Sequence, residues 1–390
     1  MPESLAPSTV EELRDALALC GNEQASIETG GAFSKRSFGG PVPQTSYRLQ
    51  TSRLNRLLAY EPADLTVSVE AGMRYADLRR TLAENNQFLP LDPPFAEDAT
   101  VGGILAANSS GSRRRRFGTA RDMTIGMRFA TLDGKLVSSG GMVVKNVTGL
   151  DMAKLMIGSY GTLAVIGSAN FKVFPRPESS ASFAFRSASA ESLLEVRREI
   201  LGGVLQPIAI DWLDGGAAQA VGLGSSHTLL VEAAGSPAVT RRFKGAFEAL
   251  ASARGVHVDG APEGLWERVH ECGPNWLSTH PQGALVRCST VQTRLGELLD
   301  LAARSGCAVA LRAGNASGLL LAPDEETARR AVNELRAGAF QATLEAGPET
   351  LKLGIEQWNA TGNELQLMQR IKADFDPLLL LNRSRLYGVI

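Results

Sequence analysis

Three glycine-rich segments constrain this chain more than any other feature of its sequence, because each adjoins a predicted strand. They are Thr29–Lys35 (TGGAFSK), Leu89–Gly126 and Val143–Gly167. Glycine lets the backbone approach a ligand closely and lets successive N–H groups converge on an anion. The first segment has neither the G-x-x-x-x-G-K-S/T order of a P-loop nor the G-x-G-x-x-G order of a dinucleotide-binding turn. Taken alone, a tight turn without a ligand explains it equally well.

The second and third segments have features that suit a flat, bulky ligand. The pair Pro93-Pro94 makes the backbone stiff and extended, so that it can form a wall beside a flat ring. Thr100, Gly102 and Gly103 open a predicted helix whose first N–H groups are expected to be bare and available to a phosphate or a ring carbonyl. Small residues then leave room for the ligand, namely Ala106, Ala107, Asn108, Ser109, Ser110 and Gly111 in the second segment and Ser159, Gly161 and Thr162 in the third.

Composition excludes several classes of protein. A chain of 390 residues is long enough for two domains, and its net charge of −1 gives no sign of nucleic-acid or membrane-surface binding. The four cysteines (20, 272, 288 and 307) stand far apart, which argues against a disulfide framework, an iron–sulfur site or a structural zinc. The N-terminus lacks a signal-peptide pattern, and no apolar run approaches the ~18 residues of a membrane span. We therefore expect a cytoplasmic protein without a metal.

Local patterns predict an α+β fold. A capping box at Ser8–Glu11 begins a first helix, and Asp133-Gly134 predicts a hairpin between two strands. We place a domain boundary at Pro175 and Pro177. Beyond it the order of elements reads βαββα, a loose stretch over 256–282, and then βαββαβ, which is typical of ferredoxin-like modules. A last predicted helix places Leu365, Met368, Ile371 and Phe375 on one face.

Six segments in register resemble the FAD-binding PCMH-type (vanillyl-alcohol oxidase / p-cresol methylhydroxylase) family. They are TGGAFSK, VEAGMRYADL, PPFAEDATVGGILAANSSG, FGTARDMTIG, KNVTGLDMAKLMIGSYGTLAVIG and FDPLLLLNRSR. Within the family, the segments are most similar to the FAD-binding subunits of bacterial glycolate oxidases. The resemblance implies a two-part FAD-binding domain over residues 1–175, then an α+β cap domain over 178–390 whose C-terminal tip returns to the FAD domain.

The resemblance also implies which residues contact FAD. In the family the first glycine loop holds the diphosphate, the middle segment lines the isoalloxazine and ribityl chain, and the last turn and strand hold one end of the cofactor. The implied contacts are Gly30, Gly31, Ala32, Phe33, Ser34, Lys35, Pro94, Thr100, Gly102, Gly103, Asn108, Ser109, Gly161, Thr162 and Ile166.

Three departures from the family pattern carry information. Some relatives tether the flavin covalently through His or Cys, but residues 1–175 contain no histidine and a single cysteine, Cys20, so we expect non-covalent FAD. Relatives that oxidise 2-hydroxy acids themselves carry H-x-G-D-G-N-x-H on a late cap strand. The corresponding stretch here, Leu311–Gly318, reads LRAGNASG and lacks the base or metal ligand that those histidines supply. The family's N-P-G-R tip appears as Asn382-Arg383-Ser384-Arg385.

These features together predict an FAD-binding subunit of a glycolate (2-hydroxy acid) oxidase complex. Its expected partners are a second FAD subunit with the catalytic histidines and an iron–sulfur subunit, and membrane association is expected only through these partners. A stand-alone hydroxy-acid or alcohol oxidase and a structural subunit without turnover remain alternatives.

Several charged or aromatic residues have a catalytic and a structural interpretation. The Arg113–Arg116 run is expected to be a solvated face, a partner contact or a neighbour of the diphosphate rather than a nucleic-acid patch. His270 and His280 are expected at surface or core positions. Asp151 and Lys154 suit a helix-surface ion pair. Arg287 suits a surface position, the alternative being a clamp on a substrate carboxylate.

Overall fold

The computed structural model describes residues 2–142, 150–359 and 362–390. The chain forms two compact units. The first comprises residues 1–110, 118–176 and 360–390, and the second comprises residues 111–117 and 177–359. These units differ from the contiguous boundaries predicted above, because the arginine run groups with the second unit and the last 31 residues group with the first.

The strands are numbered in chain order. Those of the first unit are β1 (Glu3–Leu5), β2 (Ile27–Gly30), β3 (Tyr47–Gln50), β4 (Leu57–Glu61), β5 (Thr66–Glu70), β6 (Gln87–Phe88), β7 (Thr124–Ala130), β8 (Leu136–Gly140), β9 (Val165–Lys172) and β10 (Phe174–Pro175). Those of the second unit are β11 (Ser179–Ser187), β12 (Ala209–Leu213), β13 (His227–Gly235), β14 (His257–Gly260), β15 (Ala284–Ser289), β16 (Ala308–Arg312), β17 (Ser317–Ala322) and β18 (Gln341–Ala346).

The α-helices are numbered in the same way. They are α1 (Val10–Asn22), α2 (Tyr75–Ala83), α3 (Val101–Ala106), α4 (Arg114–Phe117), α5 (Ala120–Met123), α6 (Met152–Met156), α7 (Ala190–Gly202), α8 (Gly215–Ala220), α9 (Pro237–Arg254), α10 (Leu265–His270), α11 (Cys272–Thr279), α12 (Leu295–Ser305), α13 (Glu325–Ala337), α14 (Glu349–Gly354) and α15 (Glu364–Phe375). Among the described residues, no helix combines the length and the apolar character that a membrane crossing needs.

The first unit contains a small parallel sheet and a larger antiparallel one. The parallel sheet has the order β1-β3-β2, and the antiparallel sheet has the order β4-β5-β9-β7-β8. The predicted hairpin is confirmed, because β7 and β8 pair around the turn at Asp133-Gly134. Helix α1 is capped one residue later than the predicted box at Ser8–Glu11, since the Thr9 hydroxyl accepts a hydrogen bond from the backbone N–H of Glu12 at 3.0 Å. The predicted helix over 149–157 is shorter, and its first residue lies outside the described part of the chain.

The second unit is one antiparallel sheet of two ferredoxin-like halves. Its strand order is β14-β11-β13-β12-β16-β17-β15-β18. Each half has the order 4-1-3-2 of a βαββαβ module, and the halves join where β12 pairs with β16. The sequence predicted the second half fully but missed the last strand of the first, β14, which lies within the stretch predicted to be loose. This strand has only four residues, three of them exposed, so its sequence carries little periodicity.

Helix α15 is present as predicted, but its buried residue is not one of the predicted apolar ones. Lys372 is buried, whereas Met368 is exposed. The Lys372 ammonium donates to the carbonyls of Thr162 at 2.7 Å and Leu381 at 3.1 Å, and to the Asp376 carboxylate at 2.6 Å. The Asp376 carboxylate also accepts from the backbone N–H groups of Leu380 and Leu381. Burial lowers the pKa of Lys372, and the hydrogen bonds compensate for its desolvation.

We predict that Lys372→Met lowers the free energy of unfolding by about 3–5 kcal/mol, because it leaves the buried Asp376 carboxylate without its cation. Urea unfolding followed by circular dichroism measures this. Lys244→Met is the matched control, since Lys244 and Glu248 form an exposed pair with the same spacing of four residues, worth about 0.5 kcal/mol or less. Equal unfolding midpoints for the two variants contradict the prediction.

Candidate functional site

The loop after β2 presents a run of unpaired backbone donors. Within the described residues, the N–H groups of Gly31, Ala32, Phe33 and Ser34 donate no hydrogen bond to the protein, and the Ser34 hydroxyl has no partner either. Phe33 has a left-handed backbone, with φ of 54°. Such a run of N–H groups forms an anion-binding concavity. Lys35 adds a cation beside it, and its ammonium donates to the Pro94 carbonyl at 3.4 Å.

The C-terminal tip holds this loop in place. The Asn382 side-chain amide donates to Thr29 Oγ1 at 3.1 Å and to the Tyr160 carbonyl at 2.8 Å, and its oxygen accepts from the Thr29 N–H at 2.8 Å. Arg385 donates to the carbonyls of Arg36 and Phe38 at 2.8 and 2.9 Å. The altered N-R-S-R turn thus keeps the two side chains that make these contacts.

The tip and the loop enclose a cavity of about 790 Å³ in the first unit, including the part that is open to solvent. Eleven of the fifteen predicted site residues line it: Gly30, Gly31, Ala32, Phe33, Ser34, Lys35, Thr100, Gly102, Gly103, Gly161 and Ile166. Sequence reasoning missed other lining residues, including Thr51, Tyr160, Asn382 and Arg385. The N-R-S-R motif was the one signal that pointed to Asn382 and Arg385.

Four predicted site residues do not line this cavity. Thr162 is fully buried, and its hydroxyl donates to the Ser159 carbonyl at 2.7 Å. Ser109 is buried behind α3, with its N–H on the Ile104 carbonyl. Pro94 contributes its carbonyl to Lys35. Asn108 has a buried side-chain oxygen without a hydrogen-bond partner among the described residues, although Val143–Gly149 lie outside them.

The start of α3 differs from the expectation of bare N–H groups. The Val101 and Gly102 N–H groups donate to the carbonyls of Met73 and Ala71, and the Gly103 N–H points to the Thr100 hydroxyl at 3.3 Å. That prediction was wrong because a distant loop supplies the acceptors. The free donors lie in the loop Gly31–Ser34 instead.

The glycines around the cavity serve two distinct purposes. A Cβ at Gly31 lies 2.0 Å from Thr100 Oγ1, and one at Gly102 lies 2.9 Å from the Ala71 Cβ, so these glycines let protein pack on protein. A Cβ at Gly103 meets only Thr100 Oγ1, at 3.2 Å. Gly103 therefore leaves space for a ligand rather than for the protein's own packing.

The second unit places charged side chains on the sheet face opposite helices α7, α9, α12 and α13. Ile210, Val231, Val286, Leu311 and Leu344 point into the core beneath α7, α9, α12 and α13. Because side chains alternate along a strand, the residues that follow them point to the other face. These are Asp211 on β12, Glu232 on β13, Arg287 on β15, Arg312 on β16 and Glu345 on β18. We call this set the charged row.

Most of the charged row is paired within the second unit. Arg287 forms a two-pronged ion pair with Glu345, with Nε on Oε2 at 2.8 Å, so it is not free to clamp a substrate. Arg113 binds Glu232 through two hydrogen bonds of 2.9 Å. The arginine run is thus a tether within the second unit. The Asp211 carboxylate accepts from the Ser112 hydroxyl at 2.5 Å.

The remaining candidate residues have structural contacts. His280 stacks on Trp276 with ring centroids 4.0 Å apart. His270 Nε2 lies 3.3 Å from the Ser112 hydroxyl. Lys154 and Asp151 form the expected ion pair at 3.9 Å, and Lys154 also donates to the Thr124 carbonyl.

The cysteines are free and buried. Burial raises the pKa of Cys20 and Cys307 to about 11 and that of Cys272 and Cys288 to about 12. At neutral pH they are thiols rather than the thiolates that react or bind metals. Among the described residues, no group of three or more His, Cys, Asp or Glu side chains is arranged to hold a metal ion.

Comparison with known proteins identifies the ligand of the first unit. Residues 4–140 match the family model described as the FAD binding domain. The predicted cofactor, FAD, is thereby confirmed, and the free N–H groups and the space beside Gly103 fit a dinucleotide with a diphosphate.

Two glycolate oxidase subunits are similar in sequence. Subunit GlcE of Escherichia coli (strain K12) is 37% identical over 184 residues, or 47% of this chain and 51% of that protein. Subunit GlcD of Bacillus subtilis (strain 168) is 26% identical over 215 residues, or 55% of this chain and 46% of that protein. The chain thus spans about half the length of these relatives. A mitochondrial D-lactate dehydrogenase (cytochrome) of Arabidopsis thaliana is 25% identical over 97% of this chain and 72% of that protein.

Solved structures confirm the predicted fold class. A 4-ethylphenol oxidase from Gulosibacter chungangensis has a TM-score of 0.74 at 14% identity, covering 99% of this chain and 89% of that one. A p-cresol methylhydroxylase has a TM-score of 0.73 at 14% identity, covering 99% and 88%. At this identity the likeness establishes the PCMH-type α+β fold and no activity.

We predict that Gly103→Val lowers the FAD content of the purified protein about tenfold or more while the apoprotein keeps its thermal midpoint. The added side chain enters the ligand space, and its Cβ meets only the Thr100 hydroxyl, at 3.2 Å, which needs to shift slightly. Flavin absorbance per protein and thermal unfolding of the apoprotein measure the two effects. Gly102→Val is the contrasting variant, because its side chain meets Ala71 and should lower the thermal midpoint as well. Full flavin content in Gly103→Val contradicts the assignment.

Proposed function

We propose that the protein, whose residues 4–140 match the FAD binding domain model, is the FAD-binding subunit of a 2-hydroxy-acid oxidoreductase complex that oxidises glycolate to glyoxylate. The similarity to subunit GlcE over 184 residues is the observation that carries this proposal. Bound FAD supplies a two-electron acceptor. The N–H groups from Gly31 to Ser34 bind its diphosphate, with Lys35 as the nearby cation.

The second unit supports a role in a complex rather than turnover alone. Removing hydride from a 2-hydroxy acid requires the hydroxyl proton to leave, and a positioned base typically contributes ~10²–10⁴-fold to such a step. In the turn where active relatives have histidines, this chain has Arg312-Ala313-Gly314-Asn315. The carbonyls of this turn are already occupied, Ala313 by Arg197 at 2.8 Å and Gly314 by Gln292 at 2.8 Å. The turn is therefore a rigid structural element without a base.

We assign the missing functions to partner subunits. A second FAD subunit supplies the catalytic histidines, and an iron–sulfur subunit passes the electrons onward. The four buried thiols with raised pKa support this division, since cluster ligands are thiolates. Free, unpaired thiols also suit a reducing compartment, and we propose a cytoplasmic subunit that reaches the membrane only through its partners.

We predict that FAD is bound non-covalently. Cys20, the one His or Cys within residues 1–175, is fully buried in α1 and remains protonated at neutral pH. Acid precipitation of the purified protein should leave the flavin absorbance in the supernatant. Flavin that stays in the washed pellet contradicts the prediction.

We predict that the isolated chain does not oxidise glycolate at a useful rate, because it lacks a base at the Arg312–Asn315 turn. Anaerobic stopped-flow measurement of flavin bleaching, with glycolate and with each lactate enantiomer, tests this. The same measurement on the co-expressed complex is the positive control. Bleaching of the isolated chain within seconds supports the stand-alone oxidase instead, and a chain that assembles without any flavin absorbance supports the purely structural subunit.

A further inference from the structure

Arg312 is exceptional within the charged row. Among the described residues its guanidinium forms no hydrogen bond and no ion pair, whereas Arg287 and Arg113 are both paired with carboxylates. Arg312 is nevertheless only partly exposed. A guanidinium that is shielded from water and lacks a partner is costly, so such a group usually has a counter-ion.

Neither neighbouring carboxylate forms an ion pair with Arg312 within the described residues. Trp212 pairs with Leu311 and Leu213 with Ala310, so continuing this register places Asp211 opposite Arg312. Asp211 instead accepts a hydrogen bond from the Ser112 hydroxyl at 2.5 Å. On the other side of Arg312, the two oxygens of Glu345 bind the Arg287 guanidinium.

The charges around Arg312 are predominantly positive. Arg287 and Arg114 lower its pKa and Asp211 and Glu345 raise it. Arg197 and Arg115 bind the carbonyls of the next two residues, Ala313 and Gly314. Burial is the main reason that the pKa of Arg312 falls to about 10, and the two arginines lower it further. The guanidinium is still charged at neutral pH, so the surroundings of Arg312 carry an excess of positive charge.

The position of Arg312 is fixed by its neighbours. It ends β16, and the next residues are held by Arg197 on the Ala313 carbonyl and by Gln292 on the Gly314 carbonyl. The Gly314 N–H donates to the Ile210 carbonyl at 3.1 Å. The backbone beside Arg312 is therefore fixed, so that binding a ligand needs to order only the side chain.

We propose that Arg312 is the anion-binding residue of the second unit and that it binds the carboxylate of a small monocarboxylic acid. The planar guanidinium matches a carboxylate in two-pronged geometry. A carboxylate offsets this excess of positive charge, whereas a dianion is repelled more strongly by the neighbouring carboxylates of Asp211 and Glu345. That the acid is a 2-hydroxy acid rests on the proposed function, but the anion site does not.

Isothermal titration calorimetry on the full FAD-loaded chain tests the proposal, with glycolate, D-lactate, neutral 1,2-propanediol and inorganic phosphate as probes. We expect the two carboxylates to bind more tightly than the diol and the phosphate. Arg312→Gln should weaken carboxylate binding about tenfold or more, as expected for the loss of a charge-assisted hydrogen bond. Arg312→Lys should retain part of the affinity, because it keeps the charge.

Arg304→Gln is the matched control, since Arg304 is an exposed arginine in the last turn of α12 in the same unit. It should bind like the unmodified chain. Unchanged carboxylate affinity in Arg312→Gln, or phosphate binding as tight as carboxylate binding, overturns the proposal. A failure of the proposed function gives a different result. If carboxylates bind through Arg312 but the assembled complex does not oxidise them, the anion site is supported and the glycolate assignment is contradicted.

Discussion

The buried contacts of the C-terminal tip are the interaction on which the FAD site depends. Asn382 joins the end of β2 to the turn at Tyr160, two segments that lie more than a hundred residues apart in sequence. The buried Lys372 ammonium also holds the tip, by donating hydrogen bonds to three oxygen atoms, those of the Thr162 and Leu381 carbonyls and of the Asp376 carboxylate. Loop closure over such a distance costs conformational entropy, which buried and fully satisfied hydrogen bonds help to offset. The free N–H groups of Gly31–Ser34 remain in a concave arrangement because their loop is held at both ends.

The sheet of the second unit must accommodate buried charges. Helices α7, α9, α12 and α13 cover one face of the sheet, and the charged row crosses the other. Ion pairs neutralise the row where Arg287 meets Glu345 and where Arg113 meets Glu232. The Ser112–Phe117 segment supplies part of this neutralisation, which explains why these few residues group with the second unit although the chain on both sides groups with the first.

Much of the fold was visible in the sequence because local physics produces it. The α1 cap, the Asp133-Gly134 turn and the ferredoxin-like order arise from short-range patterns. The four-residue strand β14 was missed, since it is short and mostly exposed. The site was predicted where glycines signal close backbone approach, as in Gly30–Lys35. The first turn of α3 lines the cavity as well, but the expectation that its N–H groups are free was wrong, because two of them bond to carbonyls of a remote loop that no local pattern reveals.

The sequence by itself determined that the chain carries an FAD-binding unit and an α+β second unit without the histidines of its active relatives. Glycine spacing and residue identity are properties of the chain, so they can be read without coordinates. Only the tertiary structure decided which donors are free and which charges are paired. It pairs Arg287 with Glu345 but gives Arg312 no hydrogen bond or ion pair among the described residues, a difference between two arginines that the sequence does not reveal. The reason is that pairing depends on strand register and on which side chains share a sheet face, and both are set by contacts between residues far apart in the chain.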